Sequence, residues 1–519
     1  MRGWPFLKSD LALDAAVVSV AEQTLRVGAI ASAVRSLISF AVLAIVMRMM
    51  IARLGPHTFG AWAALSAPAG MAGVLDFGVS TAMVAFMGKQ FGMARLTSDS
   101  LVARVHWRAG VAIGSSGLFV SALASLAAFA VGYMLSPVLV GTLGFTPMIT
   151  SSAVFMLRCA FFNMAATVLG GAVAAGLEAV GRSDLVSLSA AVLTIANGAV
   201  IAVSLAVRPD LIGLGLATVM TAILTILVPL AISRWCGWLS LSIAEPPSLE
   251  GARLLLSRGL ALGAAGAIGT LGYPVVKWLT AAGGGAIAVS GLEIGVRAAS
   301  TVSSAFGALA VPLRSHVARH GAGHRVAVDD TVRATRALAR VASCGLILMA
   351  GSAPAIIELW LGESAPVGST IAVAIVAVAL SLSMMATPAY LALQGGGRGR
   401  EVLAAQAGGL AAGIGSVALF GEFRAGWLIA GAISYGMAIA VGALLTLVGF
   451  AIAYGTRRLV GLLMALWAES GWLILSIGFA GLAWAAGGLW SVAISGIAWA
   501  AIAAPYLRLI KHRGRGNPQ

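Results

Sequence analysis

The 519-residue sequence is 60% hydrophobic and 10% charged, with a mean hydropathy of +0.98. A soluble domain carries about 25% charged residues, so this composition excludes a set of water-soluble domains. The net charge of +15, from 33 Lys and Arg against 18 Asp and Glu, fits the positive-inside bias of a membrane protein and gives no support to nucleic-acid binding.

The chain opens with a predicted cytoplasmic segment, 1–26. Asp10, Asp14 and Glu22 interrupt the apolar core a signal peptide would need, so no cleavage is expected. Residues 109–157, 211–233, 425–456 and 470–507 contain no charged side chain, and about 20 apolar residues suffice to span a bilayer. Charges and Gly/Pro breaks divide the rest into about fourteen spans. They are placed near 27–50, 59–88, 110–135, 149–175, 185–207, 211–233, 256–281, 285–313, 338–358, 367–393, 402–421, 425–452, 470–486 and 489–507. Gly487-Gly488 supplies the turn that divides the last uncharged run into a hairpin. The expected fold class is an all-α polytopic membrane protein.

Loop charges give the orientation. With a cytoplasmic N-terminus, 25 Lys and Arg fall in inside segments, and only Arg48, Arg53, Arg208 and Arg424 fall outside. A miscounted span would destroy that alternation, so both termini are expected inside. Cys159, Cys236 and Cys344 are far apart and odd in number, which indicates neither a disulfide framework nor a metal site. His316, His320 and His324 share a helical face but have no adjoining acid, and no Walker motif is present. No cofactor or metal is expected.

Two segments recur at nearly one offset. Leu75-Asp76-Phe77-Gly78-Val79 returns as Leu292-Glu293-Ile294-Gly295-Val296, and Leu177-Glu178-Ala179-Val180-Gly181-Arg182 returns as Leu393-Gln394-Gly395-Gly396-Gly397-Arg398. An even number of spans between copies preserves orientation, so the halves are expected to be parallel repeats with a site between them. The expected divisions are lobes at 27–233 and 256–452 joined by a cytoplasmic loop at 234–255. A helix pair at 453–507 and a basic tail at 508–519 follow.

Residues 48–92 contain Ala52-Arg53-Leu54-Gly55-Pro56, then Phe59-Gly60, then Leu75-Asp76-Phe77-Gly78-Val79-Ser80-Thr81-Ala82. This stretch resembles the opening of the bacterial polysaccharide (O-antigen and capsule type) flippases. Their superfamily also contains multidrug and toxin extruders and lipid II flippases. Gly181-Arg182 is likewise similar, whereas the Thr-Asp-Ala-Phe element expected of a lipid II flippase is absent. The resemblance implies two six-helix lobes plus two C-terminal helices, alternating access, and location in the bacterial inner membrane. It implies movement of an oligosaccharide carried on a polyprenyl pyrophosphate, with membrane lipids and polysaccharide polymerase and export machinery as partners.

Charged residues inside the spans carry the chemical argument. Arg35, Arg158, Lys277 and Arg297 are the candidate substrate-binding cations, and Asp76 and Glu293 are the candidate coupling or charge-pairing acids. A charge at a helix centre costs about 2.5–3.5 kcal/mol on insertion scales, so each is expected to face a cavity or a partner. Four cations against two anions favour an anionic ligand. A cation-coupled multidrug exporter would need an acidic cavity, and a membrane polymerase or ligase would need a catalytic outer loop. Pro68, Pro274, Pro354 and Pro388 are expected to kink their spans.

Overall fold

The computed structural model describes residues 12–76, 78–96, 100–145, 147–235, 245–307, 310, 313, 325–421 and 426–513. Among them the structure is helical, without strands. The helices are α1 (Ala12–Leu65), α2 (Ala72–Leu75), α3 (Val79–Leu96), α4 (Ser100–Gly141), α5 (Pro147–Ala179), α6 (Ser183–Val207), α7 (Leu211–Trp235) and α8 (Leu249–Gly307). They continue as α9 (Arg325–Leu338), α10 (Cys344–Gly351), α11 (Ala353–Leu361), α12 (Ser369–Gly395), α13 (Gly399–Phe420), α14 (Trp427–Tyr454), α15 (Thr456–Ala486) and α16 (Gly488–Arg513).

Eleven helical stretches among the described residues are long and apolar enough to cross a membrane. Two of them, Val34–Phe91 and Gly263–Gly307, contain a glycine at positive φ, Gly55 (71°) and Gly285 (69°), and so hold two spans each. Adding the shorter Gly488–Ala504 brings these eleven to fourteen. Large apolar side chains such as Leu37, Leu126, Val203, Leu227 and Ile477 stand exposed around the bundle, a surface suited to lipid. The protein is a multi-pass membrane protein.

Helices α3 to α7 pack chiefly among themselves and with α1 and α2 form an N-lobe; α12 to α14 pack with α8 as a C-lobe, and α1 packs against α8 as extensively as against its own lobe. The lobes meet around the two glycine breaks. Met47, Phe59 and Trp62 of one share an apolar cluster with Ala281, Val289 and Ile294 of the other. Trp360 Nε1 donates to the Ala44 carbonyl at 2.7 Å across this boundary. From there α8 runs antiparallel to the second span: Gly60 faces Ala286, Ser66 faces Lys277, Gly70 faces Pro274 and Gly73 faces Thr270. At Gly60 the approach is so close that an added Cβ would lie 1.7 Å from the Ala286 carbonyl oxygen.

The Leu177–Arg182 and Leu393–Arg398 segments are the same structural device. In each, Gly181 (φ 90°) or Gly397 (φ 70°) ends a helix, and the residue after it donates back to the carbonyl five positions earlier. Arg182 N–H reaches Leu177 O at 3.0 Å, and Arg398 N–H reaches Leu393 O at 2.9 Å. These are Schellman turns, which need the left-handed residue that glycine supplies.

The acidic repeat does not align in the same way. Gly285 lies 230 positions after Gly55, whereas Gly397 lies 216 after Gly181, so the two halves differ in length. Asp76 is 21 residues past its break and Glu293 only 8 past its own. Lys277 touches both Glu293 and Ser66, which places Glu293 at the level of Ser66, ten residues and roughly 15 Å from Asp76.

Two further differences have physical causes. Span edges drawn at charged residues proved too short, because helices continue through them: α4 includes Arg104 and Arg108, and α15 includes Glu469. Pro68 opens a 3-10 turn, Ala67–Met71, and Pro354 begins α11, so each divides its span; Pro274 and Pro388 stay within helices. Gly487 (φ 62°) and Gly488 (φ 49°) form the expected last turn. Cys236, His316, His320 and His324 lie outside the described residues; Cys159 and Cys344 are buried free thiols.

Helices α15 and α16 dock on the C-lobe through a polar contact that the loop-charge map missed. Arg340, assigned there to a cytoplasmic segment, sits in a π-helical turn, Ala339–Ser343, and pairs with Glu469 of α15 at 2.7 Å. Its guanidinium also lies over Trp472, and Trp499 Nε1 of α16 donates to the Val341 carbonyl at 2.9 Å. The widened turn frees backbone carbonyls, and the C-terminal pair satisfies one of them.

Candidate functional site

A cavity of about 540 Å³ lies between the lobes. From α1 it is lined by Ser39, Val42, Val46 and Met50, and from the second span by Trp62 and Ser66. At 1.5 Å per residue these α1 positions lie about 8–24 Å from the Gly55 end, within the ~30 Å hydrocarbon thickness.

Three of the six sequence-selected residues meet here. Glu293 is fully buried. Its Oε2 lies 2.8 Å from Lys277 Nζ and accepts from Tyr273 Oη, while its Oε1 accepts from Arg297 Nε. Lys277 is 4% exposed and Arg297 37%, so the acid is covered on all sides while one cation still faces open space. The sequence dictates part of this arrangement. Glu293 and Arg297 are one helical turn apart, as are Tyr273 and Lys277, and the Gly285 break folds the second pair against the first.

Both cations also touch the N-lobe. Lys277 Nζ donates to Ser66 Oγ at 3.4 Å, and the Arg297 guanidinium lies 5.6 Å over the Trp62 ring. The cluster carries two positive charges against one negative, and Lys277 and Arg297 both line the cavity. Among the described residues, no carboxylate lines the cavity. Three donors already occupy this buried carboxylate, two on Oε2 and one on Oε1, and its two cations leave a net positive charge that repels a cationic ligand. Arg297, with five donors in a planar fork, keeps donors for an anionic one.

The other three sites fall elsewhere. Arg35 lies 20 residues, or about 30 Å along the helix, before Gly55 and is exposed. It is one helical turn from Ser39 and is not among the cavity's lining residues. Arg158 is about 16 Å into α5 but points to the side of the helix opposite Ala160 and Asn163, which line the cavity. Its guanidinium stacks 4.0 Å over Tyr133 of α4, and its Nε is buried without a hydrogen-bond partner among the described residues. Asp76 caps α3: both carboxylate oxygens accept from the Ser80 N–H at 3.2 Å, and Oδ1 accepts from Ser80 Oγ at 2.7 Å. With Gly78 at φ 70°, the Leu-Asp-Phe-Gly motif marks a helix break.

The site also holds residues that charge counting could not select. Asn163 of α5, Thr194 and Asn197 of α6, and Thr218 and Thr221 of α7 form an uncharged polar wall in the N-lobe. Their signal was the presence of amides and hydroxyls within apolar spans.

No protein-family model and no curated protein matches this sequence. Solved structures do. A multidrug resistance MATE family transporter of the MOP superfamily in an inward-facing conformation is similar at a TM-score of 0.59 and 15% identity, covering 82% of this chain and 98% of that one. The lipid II flippase MurJ in an inward closed conformation is similar at 0.57 and 13%, covering 92% and 99%. A Pyrococcus furiosus MOP superfamily transporter, described by the reverse polarity of its binding pocket, is similar at 0.57 and 15%, covering 84% and 96%. The fold is that of MOP superfamily transporters. At such low identity the likeness fixes architecture and leaves the ligand to the cavity's own chemistry.

Proposed function

We propose that this MOP-fold protein is a flippase for a polyprenyl-pyrophosphate-linked oligosaccharide, acting in a bacterial inner membrane with both termini in the cytoplasm. The observation that carries the reading is the net positive cavity centre: Lys277 and Arg297 against Glu293, with no carboxylate on the lining among the described residues. Lys277 and Arg297 hold the pyrophosphate. Glu293 orients both cations and limits the charge left in an apolar setting when the site is empty. Because Lys277 and Arg297 also contact Ser66 and Trp62, an arriving anion competes with the contacts that join the lobes. This couples occupancy to lobe separation, the requirement of alternating access.

Two relatives of the same fold bound the alternatives. A cation-coupled multidrug exporter calls for an accessible acid, whereas Glu293 is enclosed by its partners. A lipid II flippase shares the pyrophosphate chemistry and differs in its sugars. Reconstitution into proteoliposomes tests the choice. A fluorescent lipid-linked saccharide should cross the bilayer, and Lys277→Gln or Arg297→Gln should slow it about ten- to a hundredfold, the value of one charge-assisted contact. Ethidium transport without saccharide movement would overturn the reading in favour of multidrug export.

A further inference from the structure

The N-lobe wall of the cavity differs in hydrogen-bonding sense from the cationic centre. Thr194 Oγ1 donates to the Ala190 carbonyl, Thr218 Oγ1 to the Leu214 carbonyl, and Thr221 Oγ1 to Asn197 Oδ1, each at 2.8 Å. A hydroxyl has one proton and two lone pairs, so these three groups have spent their donors and keep acceptors. The side-chain oxygen of Asn163 is buried and has no partner among the described residues. The wall therefore offers hydroxyl lone pairs together with the N–H donors of the Asn163 and Asn197 amides, and carries no charge. Across the cavity, Lys277 and Arg297 present only N–H donors.

These two surfaces select different chemistries. A phosphate ionised at neutral pH accepts hydrogen bonds and donates none, so it suits the cationic donors Lys277 and Arg297 better than the uncharged Asn/Thr wall. A sugar supplies hydroxyl protons, and an N-acetylated sugar an amide proton, which suit Asn163, Thr194 and Thr218. The cavity, at about 540 Å³, falls within the ~300–1,000 Å³ range of small-ligand sites. We infer that the ligand lies across the cavity in one orientation, with its phosphate at Lys277 and Arg297 and its first sugar on the Asn163–Thr194–Thr218 wall. The wall is a carbohydrate subsite. This rests on the anion-binding reading above and adds to it the residues that recognise the glycan.

Equilibrium binding to the full-length protein in nanodiscs tests it with four probes: farnesyl pyrophosphate, and farnesyl-pyrophosphoryl-linked N-acetylglucosamine, glucose and galactose. At least one sugar-bearing probe should bind about tenfold more tightly than farnesyl pyrophosphate, the value of two neutral hydrogen bonds. Asn163→Leu and Thr218→Val should narrow that gap to less than twofold, while Thr218→Ser, which keeps the hydroxyl, should restore it. Wild-type protein that binds all four probes equally would overturn the subsite. So would side-chain changes that weaken sugar-bearing and sugarless probes alike, since that marks a packing defect. Farnesyl pyrophosphate failing to bind wild type would take down the anion reading, and the subsite with it.

Discussion

Lys277 Nζ lies 2.8 Å from Glu293 Oε2 in its own lobe and 3.4 Å from Ser66 Oγ in the other. One buried ammonium thus neutralises the acid and ties the lobes together. Removing one member of a buried pair strands the other charge, at a cost of about 3–5 kcal/mol. Glu293→Gln should therefore lower the thermal unfolding midpoint in detergent markedly. The double variant Lys277→Met/Glu293→Gln should recover much of the loss, because the remaining Arg297 is 37% exposed and partly solvated.

The second ion pair serves architecture. Glu469 is 6% exposed against Arg340 and holds α15 to the C-lobe. Arg340→Met should destabilise the protein by a similar 3–5 kcal/mol. Limited proteolysis should then cut first near Gly455, where α14 meets α15, if the helix pair is released as a unit.

Gly60 governs how closely the lobes approach. Its Cα hydrogen points at the Ala286 carbonyl, and a methyl there would overlap it at 1.7 Å. Gly60→Ala should force the break-bearing ends apart. A cysteine at Ala286, shielded at 5% exposure, should react with a water-soluble maleimide faster in the Gly60→Ala background.

Gly181 and Gly397 should behave alike because they close the same turn. Placing alanine in the left-handed region costs about 1–2 kcal/mol. Each Gly→Ala variant should lower the unfolding midpoint by a comparable amount and retain transport, since neither residue touches the cavity.

Much of the fold was legible because a bilayer leaves charge few places to go. Uncharged runs gave the spans, and Gly487-Gly488 gave the last turn. The site was legible only where partners sit one turn apart on a helix, as Glu293 and Arg297 do. Lys277 was selected as a charge, but its contact with Glu293 depends on the Gly285 break, which bends α8 back on itself. Arg35 and Arg158, deep in apolar spans, are stronger candidates in sequence than Lys277, which lies near a span end. Helix rise carries Arg35 about 30 Å from the Gly55 break, and helix rotation turns Arg158 onto Tyr133. Asp76 matched Glu293 in spelling, yet one caps a helix and the other anchors an ion cluster. Asn163 and Thr218 carry no charge, so a search for charged residues passes over them, and their only sequence signal is a polar side chain within an apolar span.

The central claim is that Lys277 and Arg297 bind a pyrophosphate. Its most direct test is the affinity of the wild-type protein for farnesyl pyrophosphate against farnesol, repeated with Lys277→Gln and Arg297→Gln. The account predicts a strong wild-type preference for the pyrophosphate, and a loss of about ten- to a hundredfold in each variant with farnesol unaffected. Equal wild-type affinity for both compounds, or variants that bind the pyrophosphate as tightly as wild type, would contradict it.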